Sequence, residues 1–384
     1  MKKFVVIGLL VAFSVPAFAQ KIERRKKERS IQKIAKKVVE STEMKCKVDG
    51  DCKEGMICDP VKMFCVAPAM TLMDFEVANF DKKFETLQEK KSKIRAAAIA
   101  KMENLIAQNP NYAKKADIYF MLAETYWEET HYQYLKSRRN WMDKMDKFDE
   151  GLVTVRPEEP VQDNEVSLEY YRKILREYPD YTRLHEVLYF LGRGALEEGK
   201  AKRDRQLKRD AIKYFDRLVQ NHPKSKNIPK ALLHQGEHYF ENRSLYYAKG
   251  KYERIINNYP MVAMYNYALY KLAWVYYNLS EFDKSIEAFH RVINAIKAAG
   301  GANQISFREQ ALNDLVLVYT EVPNGWKLAL EYFTKEIGKK GAYIKLHKIA
   351  SLYIGQGNVE YALDVYDHLI ETFPLSHRVE EYYQ

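Results

Sequence analysis

Apolar and small residues recur at helical spacing along most of the chain, and prolines interrupt this pattern at similar places. A small residue stands thirteen positions after each of four prolines, and a second small or aromatic residue follows three positions later. The four sets are Pro110, Ala123 and Tyr126; Pro179, Gly192 and Ala195; Pro223, Gly236 and Tyr239; and Pro260, Ala273 and Tyr276. A repeat of this kind, about 34 to 40 residues long, predicts an all-α helix-turn-helix solenoid.

Each residue type in this pattern has a packing reason. The small residue lets the first helix of a hairpin, helix A, approach the second, helix B, and the aromatic residue fills the space beside it. Proline ends helix B because it cannot continue the hydrogen-bond ladder. The pattern returns at Ala350 and Tyr353, with Pro374 after them.

Two of the predicted hairpins carry the residues of a known repeat. They are Leu272, Ala273, Tyr276, Phe282, Ile286 and Phe289 in one, and Ala350, Tyr353, Gly357, Ala362, Tyr366 and Pro374 in the other. With these residues the chain resembles the tetratricopeptide repeat (TPR) family over about residues 95 to 384. Its Tyr-Pro endings are similar to those of the repeat domains in the envelope proteins BamD and CpoB. The resemblance implies a scaffold that binds other proteins.

The first nineteen residues have the three regions of a secretory signal peptide. Lys2 and Lys3 precede an apolar run from Phe4 to Phe13, and Ala17-Phe18-Ala19 forms a cleavage site. We expect cleavage before Gln20 and export to the periplasm. No cysteine stands directly after the cleavage site, so we do not expect a lipoprotein.

The charge of the chain is concentrated behind this signal. The formal net charge is +10, and residues 20–45 hold ten basic and four acidic side chains, which contribute +6. Apolar residues recur there at helical spacing, which predicts a basic amphipathic arm able to bind an anionic polymer or membrane surface. Its main basic residues are Arg24, Arg25, Lys26, Lys27, Lys33, Lys36 and Lys37. A solvated arm without a ligand is the alternative, and we expect no binding to nucleic acid.

All four cysteines lie in a short module over residues 46–66. Their spacing is wider than that of paired zinc ligands, and an exported protein meets an oxidising compartment, so we expect two disulfides. Three pairings are possible. The run resembles small secreted cysteine modules, and this resemblance implies pairs of Cys46 with Cys58 and Cys52 with Cys65.

The remainder divides into two predicted parts. Residues 67–108 suggest one or two helices that cap the array, and residues 109–384 form the solenoid. The distance from Pro110 to Pro179 exceeds one repeat, which predicts an insertion near 143–163 as an exposed loop. A second, shorter stretch of residues beyond the repeat length surrounds residues 197–209.

A solenoid offers a concave groove, lined by residues at fixed offsets from the small residue of helix A. Aromatic anchors among polar neighbours are typical of protein interfaces. The predicted groove residues are Phe120, Trp127, Tyr189, Arg193, Phe240, Tyr267, Tyr270, Trp274 and Tyr277. The alternative for any one of these rings is simple packing between helices.

Catalytic motifs are missing from the sequence, and we expect no enzyme, cofactor or metal. One pattern, His234-x-x-Glu237-His238, matches an inverted zinc-protease motif. Because Gly236 occupies the small-residue position there, repeat packing already explains this spacing.

The sequence therefore predicts a periplasmic TPR scaffold that binds protein partners in a machine of the bacterial cell envelope, for assembly, division or gliding motility. The alternative is a structural adaptor, anchored to cell wall or an anionic membrane surface by its basic arm.

Overall fold

The structure is a computed structural model that describes residues 57–58, 65–66, 72–299 and 302–372. These residues belong to two compact units. The first holds the described residues up to Gln108 together with His131–Arg139, and the second holds Asn109–Thr130 and the described residues from Asn140 onwards. The predicted signal peptide, basic arm and most of the cysteine module lie outside the described residues.

The first unit contains a short hairpin and a long helix. Strand β1 (Ile57–Cys58) pairs antiparallel with β2 (Cys65–Val66), and Cys58 is the partner of Cys65 in the register. Helix α1 (Leu72–Gln108) is a single helix, where the sequence left open one or two.

Charged contacts join α1 to residues 131–139 of the next helix. Lys136 lies 3.9 Å from Glu89, Arg139 forms an ion pair with Glu85, and Arg95 lies over the ring of Tyr132. The order of these contacts shows that the two segments run antiparallel.

The second unit is built from consecutive helices, and the extensive contacts join helices that are neighbours in sequence. Helix α2, which also passes through the first unit, opens this series. The helices are α2 (Lys115–Asp149), α3 (Glu165–Glu177), α4 (Leu184–Ala201), α5 (Arg205–Asn221), α6 (Ile228–Glu241), α7 (Leu245–Asn258), α8 (Tyr265–Asn278), α9 (Phe282–Ala299), α10 (Ala302–Tyr319), α11 (Gly325–Gly355) and α12 (Val359–Thr372). None of the described helices is both long and apolar enough to cross a membrane.

The small residues of the sequence pattern lie where two helices pack closely. A β-carbon at Gly192 would come within 2.6 Å of Phe215 Cε1, and one at Gly236 would come equally close to Tyr252 Cε1. In the first hairpin, Ser167 of α3 donates a 2.7 Å hydrogen bond to the carbonyl of Ala123. The close approach of helix A to helix B is therefore the structural reason for the small residue.

One hairpin in the structure has no counterpart in the sequence pattern. Helix α10 pairs with the first part of α11, which breaks at Gly338, where φ is +76° and ψ is 168°. The rest of α11 pairs with α12 and forms the last hairpin. The described part of the unit thus contains six helical hairpins: α2 with α3, α4 with α5, α6 with α7, α8 with α9, α10 with the start of α11, and the end of α11 with α12.

The two predicted insertions are more helical than expected. Helix α2 continues to Asp149, so residues 143–149 are helical and only 150–164 form a loop. Trp141 anchors this loop by donating a 3.1 Å hydrogen bond to the carbonyl of Pro157. The shorter excess near 197–209 lies mostly in the end of α4 and the start of α5, which Asp204 caps through hydrogen bonds from Gln206 N and Leu207 N.

Candidate functional site: the A-helix face

The A-helix face is the surface formed by the first helix of each hairpin. It comprises Lys115–Thr130 of α2, then α4, α6, α8, α10, and α11 after Gly338. Polar side chains join neighbouring A helices, or the loop residues next to these helices, along it. The contacts are Tyr181 to Asp117 (2.9 Å), Arg183 to Glu124 (3.8 Å), Lys200 to Glu241 (3.4 Å), Tyr267 to Glu237 (3.1 Å), Tyr270 to Asp314 (2.7 Å), Tyr277 to Glu321 (3.1 Å) and Lys345 to Glu309 (2.5 Å).

Four of the predicted groove residues are buried between helices. Phe120, three positions before the small residue of its helix, has no exposed surface and contacts the rings of Tyr171 and Phe190. Tyr189 and Tyr270 occupy the same position in their hairpins and are 7% and 4% exposed.

Trp274 is also 4% exposed and packs edge-on against Phe289. The rings of Phe120, Tyr189, Tyr270 and Trp274 therefore pack between helices, and they offer little surface to a partner.

Aromatic rings four positions after the small residue remain accessible. Trp127, Phe240 and Tyr277 occupy this position in three hairpins, and each is partly exposed. Tyr267, one turn before Tyr270, is 37% exposed. These four rings are the part of the predicted groove that a partner can reach.

Cationic side chains from the following A helix lie over two of these rings. The Arg193 guanidinium lies 5.0 Å from the ring centre of Trp127, and the Lys271 ammonium lies 4.4 Å from that of Phe240. Arg193 also donates a 2.8 Å hydrogen bond to Glu197. Two adjacent hairpins thus bring together Trp127 and Arg193, which the sequence predicted separately as groove residues.

The middle of the face contains desolvated charges. Burial lowers the pKa of Lys271, although Glu237 and Glu241 nearby favour its charged form. Burial alone would raise the pKa of Glu237, but hydrogen bonds from His234 and Tyr267 hold it below its ordinary value. A partner at this place therefore meets charges of both signs beside aromatic rings.

A second polar cluster joins α8 to α10. The hydroxyl of Tyr270 donates a 2.7 Å hydrogen bond to Asp314 and accepts one of 3.0 Å from Gln310. Burial raises the pKa of Asp314 to about 6, and the Tyr270 hydrogen bond and the charge of Lys348 oppose this shift. Neighbouring Lys345 is itself buried and donates to Glu309 and to Asn313, at 2.5 and 2.8 Å.

The sequence pattern missed this cluster because it did not identify α10 as a repeat helix. In α10, Val316 stands three residues before Tyr319, the place that Ala273 has before Tyr276. An alignment of Tyr319 with Tyr276, including the helix that follows each of them, could have identified α10 as a repeat helix.

The zinc-protease pattern belongs to the packing of the third hairpin. The ring of His234 stacks on Phe215 and Tyr189, and its Nδ1 lies 3.5 Å from Glu237. Within the described part of the chain, no group of three or more His, Cys, Asp or Glu side chains could hold a metal ion.

Comparisons with known proteins identify the repeats. The model of the tetratricopeptide repeat family matches residues 196–225, 267–295 and 346–376. The second match covers α8 and most of α9, and the third covers the hairpin of α11 and α12. The chain therefore carries tetratricopeptide repeats in these three segments.

Solved structures with similar helices include several repeat proteins. PilW, a type IV pilus biogenesis factor, has 16% identity and a TM-score of 0.33, covering 78% of this chain and 99% of its own. A tetratricopeptide repeat protein from Parabacteroides merdae has 13% identity and a TM-score of 0.37, with 78% and 97% coverage. MamA has 21% identity and a TM-score of 0.30, with 54% and 86% coverage. No curated protein sequence matches. Similarities this low support no transfer of function.

Proposed function

We propose that this protein is an exported scaffold of the bacterial cell envelope, which binds a protein partner along its A-helix face. Tetratricopeptide repeats form a scaffold suited to protein–protein interaction. The observation that carries the proposal is the row of partly exposed rings at one repeat position, Trp127, Phe240 and Tyr277, beside Tyr267. Support for export comes from the signal-peptide pattern of residues 1–19.

Aromatic rings with charged neighbours are suited to hold a partner segment. A ring loses little conformational entropy on binding because only two torsions are fixed, and it contributes a large contact area. The contacts that join neighbouring A helices, such as Tyr267 to Glu237, hold these rings in place before the partner arrives. We expect the partner to supply an extended or helical segment that runs across several hairpins.

Site-specific crosslinking in the protein's own host tests the binding surface. A photoreactive phenylalanine at position 240 should crosslink to one defined protein in the envelope fraction. Adding Trp127→Ala and Tyr277→Ala should reduce this product at least tenfold, because the partner loses two anchors. Tyr246 is a suitable control position because it is an exposed aromatic residue on a B helix, α7. Equal products from positions 240 and 246, or no effect of the two alanines, would contradict a role for the A-helix face.

Cell fractionation tests the proposed location, and mass spectrometry of the mature protein tests the cleavage site. The mature protein should be found in the periplasmic fraction with Gln20 as its first residue. Reversing the charge of Lys26, Lys27, Lys36 and Lys37 should leave partner crosslinking intact. If this reversal abolishes envelope association while Trp127→Ala and Tyr277→Ala change nothing, the protein is an adaptor anchored by its arm.

A further inference from the structure

Helix α1 presents two different apolar faces, both within the first unit. One face is buried: Ile99 is 9% exposed, and Arg95 on the same side lies over Tyr132. On another face, Leu87 is 49% exposed and Ile94 is 68% exposed. At 100° per residue, Ile99 lies about 140° around the helix from Ile94. The exposed pair is therefore separate from the surface that packs on residues 131–139.

The spacing of the exposed pair is that of a helix-packing seam. Leu87 and Ile94 are seven residues apart, and Ala98 follows four residues later. These three residues fall within about 40° of one another on the helix. The sequence continues the same spacing toward the start of α1, where Phe80 lies seven residues before Leu87. We name the residues Leu87, Ile94 and Ala98 the α1 stripe.

Basic residues flank the α1 stripe. From residue 90 to residue 101 the chain has five basic side chains, Lys90, Lys91, Lys93, Arg95 and Lys101, and no acidic one. Lys90 and Lys91 lie on opposite sides of Ile94, at about 40° and 60° around the helix, and Lys101 lies in line with the stripe, seven residues after Ile94. An apolar seam bordered by lysines selects the charge of the helix that packs on it, as flanking charges do in coiled coils.

The lysines beside the α1 stripe favour some packing partners over others. A second copy of α1 would place its own lysines against these, which costs free energy in either orientation because like charges meet. The basic arm at residues 20–45 carries the same sign of charge and meets the same repulsion. A helix with acidic flanking residues gains both apolar burial and favourable charge pairs.

We propose that the α1 stripe docks an amphipathic helix with acidic flanking residues from another protein. This surface is distinct from the A-helix face of the repeats. The protein then has two binding surfaces made of different residues.

A synthetic helix provides the probe. We would use a labelled four-heptad peptide with leucine at the two seam positions and glutamate at the flanking positions, and a matched peptide with lysine at the flanking positions. Fluorescence anisotropy with the full chain should show saturable binding of the glutamate peptide and at least tenfold weaker binding of the lysine peptide. Binding of the glutamate peptide should weaken as salt is raised, because the charge pairs are screened.

Variants of the full chain then localise the binding. Ile94→Glu should lower the affinity for the glutamate peptide at least tenfold, and so should the double variant Lys90→Glu with Lys91→Glu. Ile305→Glu on α10 is the matched control, because Ile305 is 71% exposed on a different helix. It should leave the affinity unchanged. Circular dichroism checks that each variant keeps its helix content. If Ile94→Glu does not fold, the double variant Lys90→Glu with Lys91→Glu still tests whether the peptide binds at the α1 stripe.

Three results would overturn the proposal. The first is a lack of saturable binding of the glutamate peptide to the unmodified chain. The second is equal binding of the two peptides or equal binding to the Ile94→Glu and Ile305→Glu variants. The third is a dimer in light scattering that Ile94→Glu converts to monomer, since the stripe would then be occupied by a second copy.

Discussion

At Gly192 the lack of a side chain lets Phe215 lie against helix α4. A β-carbon at Gly192 would come within 2.6 Å of the Phe215 ring, whereas one at Gly250 on α7 would meet nothing within 4 Å. We expect Gly192→Ala to lower the free energy of unfolding by about 1–3 kcal/mol, because the ring must move in a packed core. Gly250→Ala should raise it by up to about 1 kcal/mol through helix propensity.

Urea unfolding followed by circular dichroism measures both changes. The two variants make the same chemical change in a helix, so the difference between them isolates the contact with Phe215. A gain of stability in Gly192→Ala equal to that in Gly250→Ala would show that the ring moves aside without cost, and that the small residue is not required there.

The sequence could identify the aromatic residues of the face but not their exposure. Phe120 and Trp127 lie on the same helix seven residues apart, yet only Trp127 keeps accessible surface. The difference arises because Phe120 lies under Tyr171, Tyr181 and Phe190, which come from other helices and from the following loop. Helical periodicity assigns a residue to a face, but the neighbouring hairpin decides whether that face is covered.

At the level of helices, Asp314 couples α8 to α10 in a way that depends on pH. Its pKa in the folded protein is about 6, above the ordinary value of 3.8, because the carboxyl is buried. The folded state therefore binds more protons than the unfolded state between about pH 4 and pH 6. The stability contributed by this group is present at low pH and is lost as the pH rises through this window.

Replacing Asp314 with asparagine tests this coupling. Asparagine carries no charge and can still accept the hydrogen bond from Tyr270, so Asp314→Asn should raise the melting temperature at pH 7.5. The gain should shrink or vanish at pH 4.5, where Asp314 is already protonated. Asp364→Asn on the exposed side of α12 should give the same small difference at both pH values. An equal effect of Asp314→Asn at both pH values would exclude a titrating carboxyl at this helix contact.

The sequence predicted the repeat helices where proline and a small residue mark them. It did not reveal the hairpin of α10 with the start of α11, because Val316 takes the place of the small residue and Gly338 ends the hairpin without a proline. Glycine at a positive φ ends a helix by a different mechanism from proline, since it adopts a conformation that other residues avoid. The insertion in the first hairpin was also predicted as loop, although α2 continues through its first third.

On the scale of the whole repeat array, stability is the sum of local contacts. The extensive contacts of the second unit join helices that are neighbours in sequence, so damage in one hairpin has few direct routes to a distant one. Phe215 in α5 and Phe333 in α11 are both fully buried rings on B helices, several hairpins apart. They therefore form a reciprocal pair of probes.

We expect Phe215→Ala to reduce hydrogen-exchange protection in α4 and α5 and to leave α11 and α12 close to the unmodified protein. Phe333→Ala should do the reverse, with lost protection in α10 and α11. Each truncation removes about 3–5 kcal/mol of core packing, which is enough to open one hairpin and its immediate neighbours. Exchange measured by mass spectrometry with peptide resolution checks both patterns in one experiment. If either variant loses protection evenly from α4 to α12, the array unfolds as one cooperative body and the nearest-neighbour account of its stability is wrong.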